Sequence, residues 1–237
     1  MTTIEVCVED LAAVAAAYQA GADRVELCTR LEVGGLTPPD ELIHATIDLI
    51  SGLPTPFGLR ILVREEYASF QHTPQQQAAL IAEVIRLRQK YAYTKVPVGF
   101  VVGALDETGE IPTEFLTQMV KAAQGWPLVF HRGIDSCPNR AKALKTLSEN
   151  GFDAVLTAGG HPTLANYQQL KEDIKQTKGK LTIIISGGIR AHNATEIMQI
   201  TGAEEIHFKA PYATGEPGTD PQLVTAIVKA IRNASQT

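Results

Sequence analysis

The chain has 237 residues, 44% hydrophobic and 20% charged, an ordinary globular composition. A net charge of −5 argues against a nucleic-acid groove or a polybasic membrane anchor, and no apolar run approaches the roughly 20 residues of a membrane span. Three cysteines, an odd number in so long a chain, make no disulfide framework, and the N-terminus lacks the basic and apolar segments of a signal peptide, so a cytoplasmic, reduced protein is expected.

Strand-like and helix-like segments alternate along the chain. A strand over Ile4–Val8 is followed by an alanine-rich helix over Leu11–Ala20. Then come a strand over Arg24–Cys28 with a helix over Asp40–Ile50, and a strand over Phe57–Arg64 with a helix over Pro74–Lys90. The fourth pair is Val98–Val102 with Thr113–Gln124, the fifth Leu128–Arg132 with Asn139–Asn150. The last three are Ala154–Thr157 with Thr163–Lys178, Leu181–Ser186 with Asn193–Thr201, and Glu205–Lys209 with Pro221–Arg232. Thr73-Pro74 and Asp220-Pro221 are helix starts. Gly21-Ala22-Asp23, Gly151-Phe152-Asp153 and Gly202-Ala203-Glu204 follow helices as one repeated turn.

Eight such units without a linker predict a single-domain (β/α)8 TIM barrel over residues 1–237. An open doubly wound sheet would carry its glycines after the first strand; here that turn is Val8-Glu9-Asp10. The Gly-rich turns come late, at Ala158-Gly159-Gly160 and Ser186-Gly187-Gly188, where many barrels hold a phosphate.

Alternate strand positions face the barrel interior and the helices. Parity puts Glu5 and Cys7 on one face of the first strand and Glu26 and Cys28 on the same face of the second. Two thiols on neighbouring strands, about 4.8 Å apart, suit a shared soft ion such as Cu(I); a disulfide or two idle thiols remain open. Glu5 and Glu26 form either a carboxylate pair with one raised pKa or a charge balance for Arg60 or Arg64. His131, opposite in parity to Arg132, ends the fifth strand as an acid, base or ligand. His207 lies deeper and reads as an orienting partner, and Cys137 as a bystander in a loop. Backbone amides of Ser186, Gly187 and Gly188, with Thr157 and Lys209, form a candidate anion cradle.

At these residues the chain resembles the CutC copper-homeostasis family. The matching stretches include Glu5-Val6-Cys7-Val8, Gly21 to Cys28, Gly34-Gly35-Leu36-Thr37-Pro38, Phe130-His131-Arg132, Leu156 to Gly160, Ser186-Gly187-Gly188-Ile189 and the His207 strand. The resemblance implies a (β/α)8 barrel and cytoplasmic copper handling, with Cu(I) at Cys7 and Cys28. Two departures stand out. The family's Arg-Pro-Arg-Gly-Gly after the third strand is here Arg64-Glu65-Glu66-Tyr67-Ala68, so Glu66 replaces the second arginine. After the eighth strand, Lys209-Ala210 stands where the family has small residues, which adds a positive charge.

The leading expectation is a barrel that buffers or delivers Cu(I) through Cys7 and Cys28, with His131 completing the site. The alternative is a lyase or isomerase acting on a small phosphorylated or carboxylated metabolite. There Glu5, Glu26 and His131 would move protons, while Arg64, Ser186 and Lys209 hold the anion. A scaffold barrel is the third option. The expected partners are thus a copper ion or a small anionic metabolite, and the expected assembly is a homodimer.

Overall fold

The computed structural model describes residues 2–65 and 69–234, so Glu66 lies outside the described residues. Among these, eight parallel strands close into a barrel in chain order, each followed by a helix. The strands are β1 (Thr3–Val8), β2 (Arg24–Leu27), β3 (Gly58–Leu62), β4 (Val98–Val102), β5 (Leu128–Phe130), β6 (Ala154–Thr157), β7 (Thr182–Ile185) and β8 (Glu205–Phe208). The helices are α1 (Leu11–Gln19), α2 (Asp40–Ser51), α3 (Pro74–Lys90), α4 (Thr113–Ala123), α5 (Arg140–Glu149), α6 (Tyr167–Thr177), α7 (Ala194–Thr201) and α8 (Pro221–Ala234). No helix among the described residues is long and apolar enough to cross a membrane.

Local chemistry accounts for the boundaries. Pro74 occupies the first turn of α3, and Thr73 and Gln76 form a reciprocal capping box there. Asp10 caps α1 by accepting the Ala13 amide at 2.8 Å. The repeated turn has a second function: Asp23 accepts the Ile4 amide at 2.6 Å and Asp153 the Leu128 amide at 2.8 Å, so each aspartate ties its turn to the neighbouring strand.

The expected strand parity holds. Ile4, Val6, Val8, Val25, Leu27, Leu59 and Ile61 pack outward into the large core beneath the helices. A smaller cluster inside the barrel contains Cys7, Cys28, Leu62, Val101, Val129, Leu156 and Ile184. Five strands end one or two residues before the predicted limit: β2 at Leu27, β3 at Leu62, β5 at Phe130, β7 at Ile185 and β8 at Phe208. Each of these ends lies at the barrel mouth, where the chain leaves the ladder to form the site. The start of α6 is also later than predicted, at Tyr167. The segment before it crosses the mouth, with the Ala165 amide on Gly187 O at 3.0 Å and the Asn166 amide on Ala158 O at 2.8 Å.

Candidate functional site

The barrel floor is ionic. Glu5 on β1 is 1% exposed and accepts from Arg24 Nε at 2.5 Å, Arg60 Nη1 at 2.9 Å and His207 Nδ1 at 2.8 Å. Arg24 also pairs with Glu205. Register brings these groups together, since Glu5 stands opposite Arg24 on one side and His207 on the other, and Glu26 opposite Arg60. Gly58 leaves the space that Arg24 needs: a Cβ there would lie 2.8 Å from Arg24 Cβ.

This network separates the two carboxylates. Burial alone would raise the pKa of Glu5, but the charges of Arg60 and Arg24 and the His207 hydrogen bond hold it well below the usual carboxylate range. Glu26 moves the other way. Burial raises its pKa and the charge of Glu5 adds to this, against the opposing charge of His207 3.4 Å away. Burial would lower the pKa of His207, but hydrogen bonds to Cys7 and Glu5, with the charges of Glu26 and Glu5, push it up to about 10. The two carboxylates therefore differ: the arginines favour the ionised form of Glu5, and burial disfavours that of Glu26.

Above the floor, the sulfurs of Cys7 and Cys28 lie 3.7 Å apart, both buried and both free thiols. Their hydrogen-bond contact and the surrounding burial raise the Cys7 pKa well above its ordinary value. Cys28 also reaches Val8 O at 3.5 Å. The glycines that follow roof this pair. Gly35 has φ +86°, and a Cβ there would lie 2.8 Å from Leu62 Cδ2 and 3.5 Å from Cys28 Cβ. Only a residue without a side chain fits that conformation so close to the sulfurs.

Ligand atoms of Cys7, Glu26 and His207 lie within 4.8 Å of one another, a grouping that could hold a metal ion. It is His207, not His131, that stands with Cys7. His131 is buried against Phe70 and Phe130, and its Nδ1 accepts from the Gly133 amide at 3.1 Å. Burial pushes its pKa down to about 3. Arg60, not Arg64, balances Glu5. Arg64 lies at the mouth, donating to Gly35 O at 2.6 Å and Val33 O at 3.2 Å and stacking over Phe70. Half-buried Cys137 donates to Gly133 O, away from the other two thiols.

The anion cradle divides. Thr157 does not join it: its hydroxyl donates to Asp135 at 2.5 Å and accepts from Arg140 at 2.6 Å and the Gly159 amide at 3.0 Å. The turn after β6 is already filled by the chain's own carboxylate, since Asp135 accepts the amides of Ala158 at 3.0 Å and Gly160 at 2.9 Å. Ser186, Gly187, Gly188 and Lys209 instead line a cavity of about 400 Å³ whose floor includes Cys7, Glu26 and His207. A larger open depression of about 990 Å³ near the ends of α2 and α3 gathers no such cluster.

The model of the CutC family matches residues 2–211. The chain belongs to the CutC family. It is 31% identical over 208 residues to the family protein CutC of Histophilus somni, covering 87% of this chain and 82% of that one. With the Treponema denticola CutC protein it shares 33% identity over 217 residues, covering 91% and 84%. The crystal structure of CutC from Streptococcus agalactiae, whose name refers it to copper homeostasis, superposes with a TM-score of 0.78 at 26% identity, covering 88% of this chain and 98% of that one. TrpF from Jonesia denitrificans shares the barrel fold, with a TM-score of 0.62 at 19% identity and coverage of 99% and 98%.

Arg24 and Glu205 were not among the candidates from sequence, although parity puts Arg24 on the face of Glu26 and Cys28. Nothing local marks Asp135 as the group that fills the β6 turn, 22 residues away.

Proposed function

We propose that the protein binds Cu(I) through Cys7 and Cys28 as part of copper handling. The observation that carries this reading is the 3.7 Å separation of two buried free thiols on neighbouring strands. With metal–sulfur bonds of roughly 2.3 Å, one ion can bridge the pair at a bent angle, and a soft monovalent ion prefers sulfur to the nearby oxygens. Glu26, and His207 once it gives up a proton, offer further donors beside Cys7. The Cys7 thiol holds its proton in the metal-free fold, so loading the ion displaces that proton, as thiolate ligation requires. The copper-homeostasis name of the S. agalactiae relative supports the same reading.

The test is an anaerobic competition titration of Cu(I) with the Cys7→Ser, Cys28→Ser double variant. Serine keeps the shape of the side chain but removes the soft donor, so affinity should fall by about a hundredfold or more. Unchanged affinity in a variant that melts like the parent would sink the proposal.

A second reading, proton transfer of the lyase or isomerase type on a small anionic metabolite, is favoured by the opposed pKa directions of Glu5 and Glu26. In that reading Glu26 is the acid and Glu5 sets the charge of His207. Replacement of Glu26 by Gln would abolish turnover while leaving ligand affinity within a fewfold of the parent.

A further inference from the structure

The cavity above the thiols is far larger than one metal ion needs. At about 400 Å³ it falls in the range of small-molecule sites. Two buried polar atoms on its wall have no hydrogen-bond partner: Ser186 Oγ, in a residue 2% exposed, and His131 Nε2, in a residue 4% exposed. Because His131 Nδ1 accepts from Gly133, the neutral ring carries its proton on Nε2 and presents a donor. Such unsatisfied groups are costly, and both belong to residues that line this cavity.

The mouth of the same cavity is cationic in a chain of net charge −5. Arg64, Arg190 and Lys209 line it, and none pairs with a carboxylate among the described residues. Arg190 is held by its bonds to Ile189 O at 2.7 Å and Lys209 O at 3.3 Å. The turn after β7 lies alongside. The amides of Gly187, Gly188 and Ile189 have no acceptor among the described residues. The comparable two-glycine turn after β6 shows what such a turn accepts in this fold, because there Asp135 supplies an oxyanion from within the chain. At β7 no carboxylate among the described residues does so.

We infer that this cavity binds a small hydroxylated phosphate monoester, seating the phosphoryl group on the 187–189 turn with Arg64, Arg190 and Lys209. Its hydroxyls meet Ser186 and His131, and its far end approaches Cys7, Glu26 and His207. A dianion answers the three cations better than a carboxylate does, and the backbone donors suit its several oxygens. The inference concerns binding alone and stands independently of copper or catalysis.

Isothermal titration of the metal-free full chain tests it, using ribose 5-phosphate, ribose, inorganic phosphate and gluconate as probes. Ribose 5-phosphate should bind at least about tenfold tighter than ribose or gluconate, with inorganic phosphate competing. Lys209→Ala should weaken ribose 5-phosphate by about tenfold while leaving Cu(I) affinity unchanged. Ser186→Ala should weaken it by about fivefold without lowering the melting temperature, because it removes an unpaired hydroxyl. Equal affinity for ribose and ribose 5-phosphate, or no loss in Lys209→Ala, would overturn the assignment of the cavity. Parity with gluconate would overturn its phosphate specificity.

Discussion

Replacing Glu5 with glutamine tests whether the ionic floor holds the barrel together. The side chain keeps its shape but loses the charge that three partners share, at 2.5 Å from Arg24, 2.9 Å from Arg60 and 2.8 Å from His207. Removing one member of a buried ionic group typically costs ~3–5 kcal/mol, because the remaining charges stay buried. Two features keep the expected cost at the lower end. Arg24 retains Glu205, and His207 can release its proton once its carboxylate partner is gone. Arg60 fares worst, since its remaining carboxylate contact, with Glu205, is 3.8 Å long.

The expected loss is therefore about 3 kcal/mol. For 237 residues the unfolding entropy is about 0.5 kcal/mol per kelvin, so the melting temperature should fall by about 6 °C. Urea denaturation followed by circular dichroism measures this directly, with the slope of the transition unchanged. Adding Arg60→Met should recover part of the loss, because it removes the stranded cation along with its partner. A Glu5→Gln variant within about 0.5 kcal/mol of the parent would refute the claim that this carboxylate anchors the floor.

The remaining predictions concern other parts of the mouth. Folded His131 titrates at about 3, well below its unfolded value near 6.5, with the charges of Arg64 and His72 acting in the same direction as burial. Between these values the unfolded chain binds the extra proton, so stability should fall as pH drops below about 6.5, by at most roughly 1.4 kcal/mol per pH unit from this residue. Denaturation curves of His131→Asn should show that acid slope reduced; an unaltered slope would count against it. Asp135→Ala should cost about 1–3 kcal/mol by leaving the amides of the β6 turn unpaired, while Arg140 keeps Asp173. Added formate should restore more stability to that variant than to the parent, and equal responses would mean the turn does not take anions. Gly35→Ala should cost about 1–2 kcal/mol, from the left-handed backbone and the approach to Leu62, and should weaken Cu(I) binding by distorting the roof over Cys28.

Periodicity carried most of the fold. The limits of α3, β4 and β6 follow directly from apolar pattern and punctuation such as Thr73-Pro74. Parity also put Glu5, Cys7, Glu26, Cys28, Arg60 and His207 on inward positions, and the register of β1, β2, β3 and β8 brings them together. What the pattern could not supply was stagger. His131 follows the end of β5 while His207 lies within β8, and the register of the barrel puts His207 beside Cys7 and His131 against Phe70. The filled β6 turn was equally illegible, because the two Gly-Gly motifs look alike and the group that distinguishes them, Asp135, comes from the preceding loop. Strand ends were overrun for one reason: the apolar run continues into residues that line the mouth after the ladder has stopped.

The arrangement of charge along the cavity would let one barrel serve the two proposed ligands, a metal ion and an organic anion. At the floor, Glu5, Arg24, Arg60 and Glu205 largely satisfy one another, so they offer little to a ligand but fix the charge of His207. In the middle, burial raises the pKa of both Cys7 and Glu26; the soft donors this layer presents to an incoming ion are the two sulfurs. At the mouth, Arg64, Arg190 and Lys209 pair with no carboxylate among the described residues. Of these, Arg64 touches the Gly35 roof over the thiols, whereas Arg190 and Lys209 lie together on the β7–β8 side. The two proposals are separable by mutation there: Lys209 can be changed without touching sulfur, and Cys28 beneath Gly35 without touching the β7 turn. Loss of Lys209 at the phosphoryl end should therefore leave Cu(I) affinity nearly intact. A bound phosphate monoester whose far end reaches Cys7, Glu26 and His207 should, by contrast, compete with the ion for that layer.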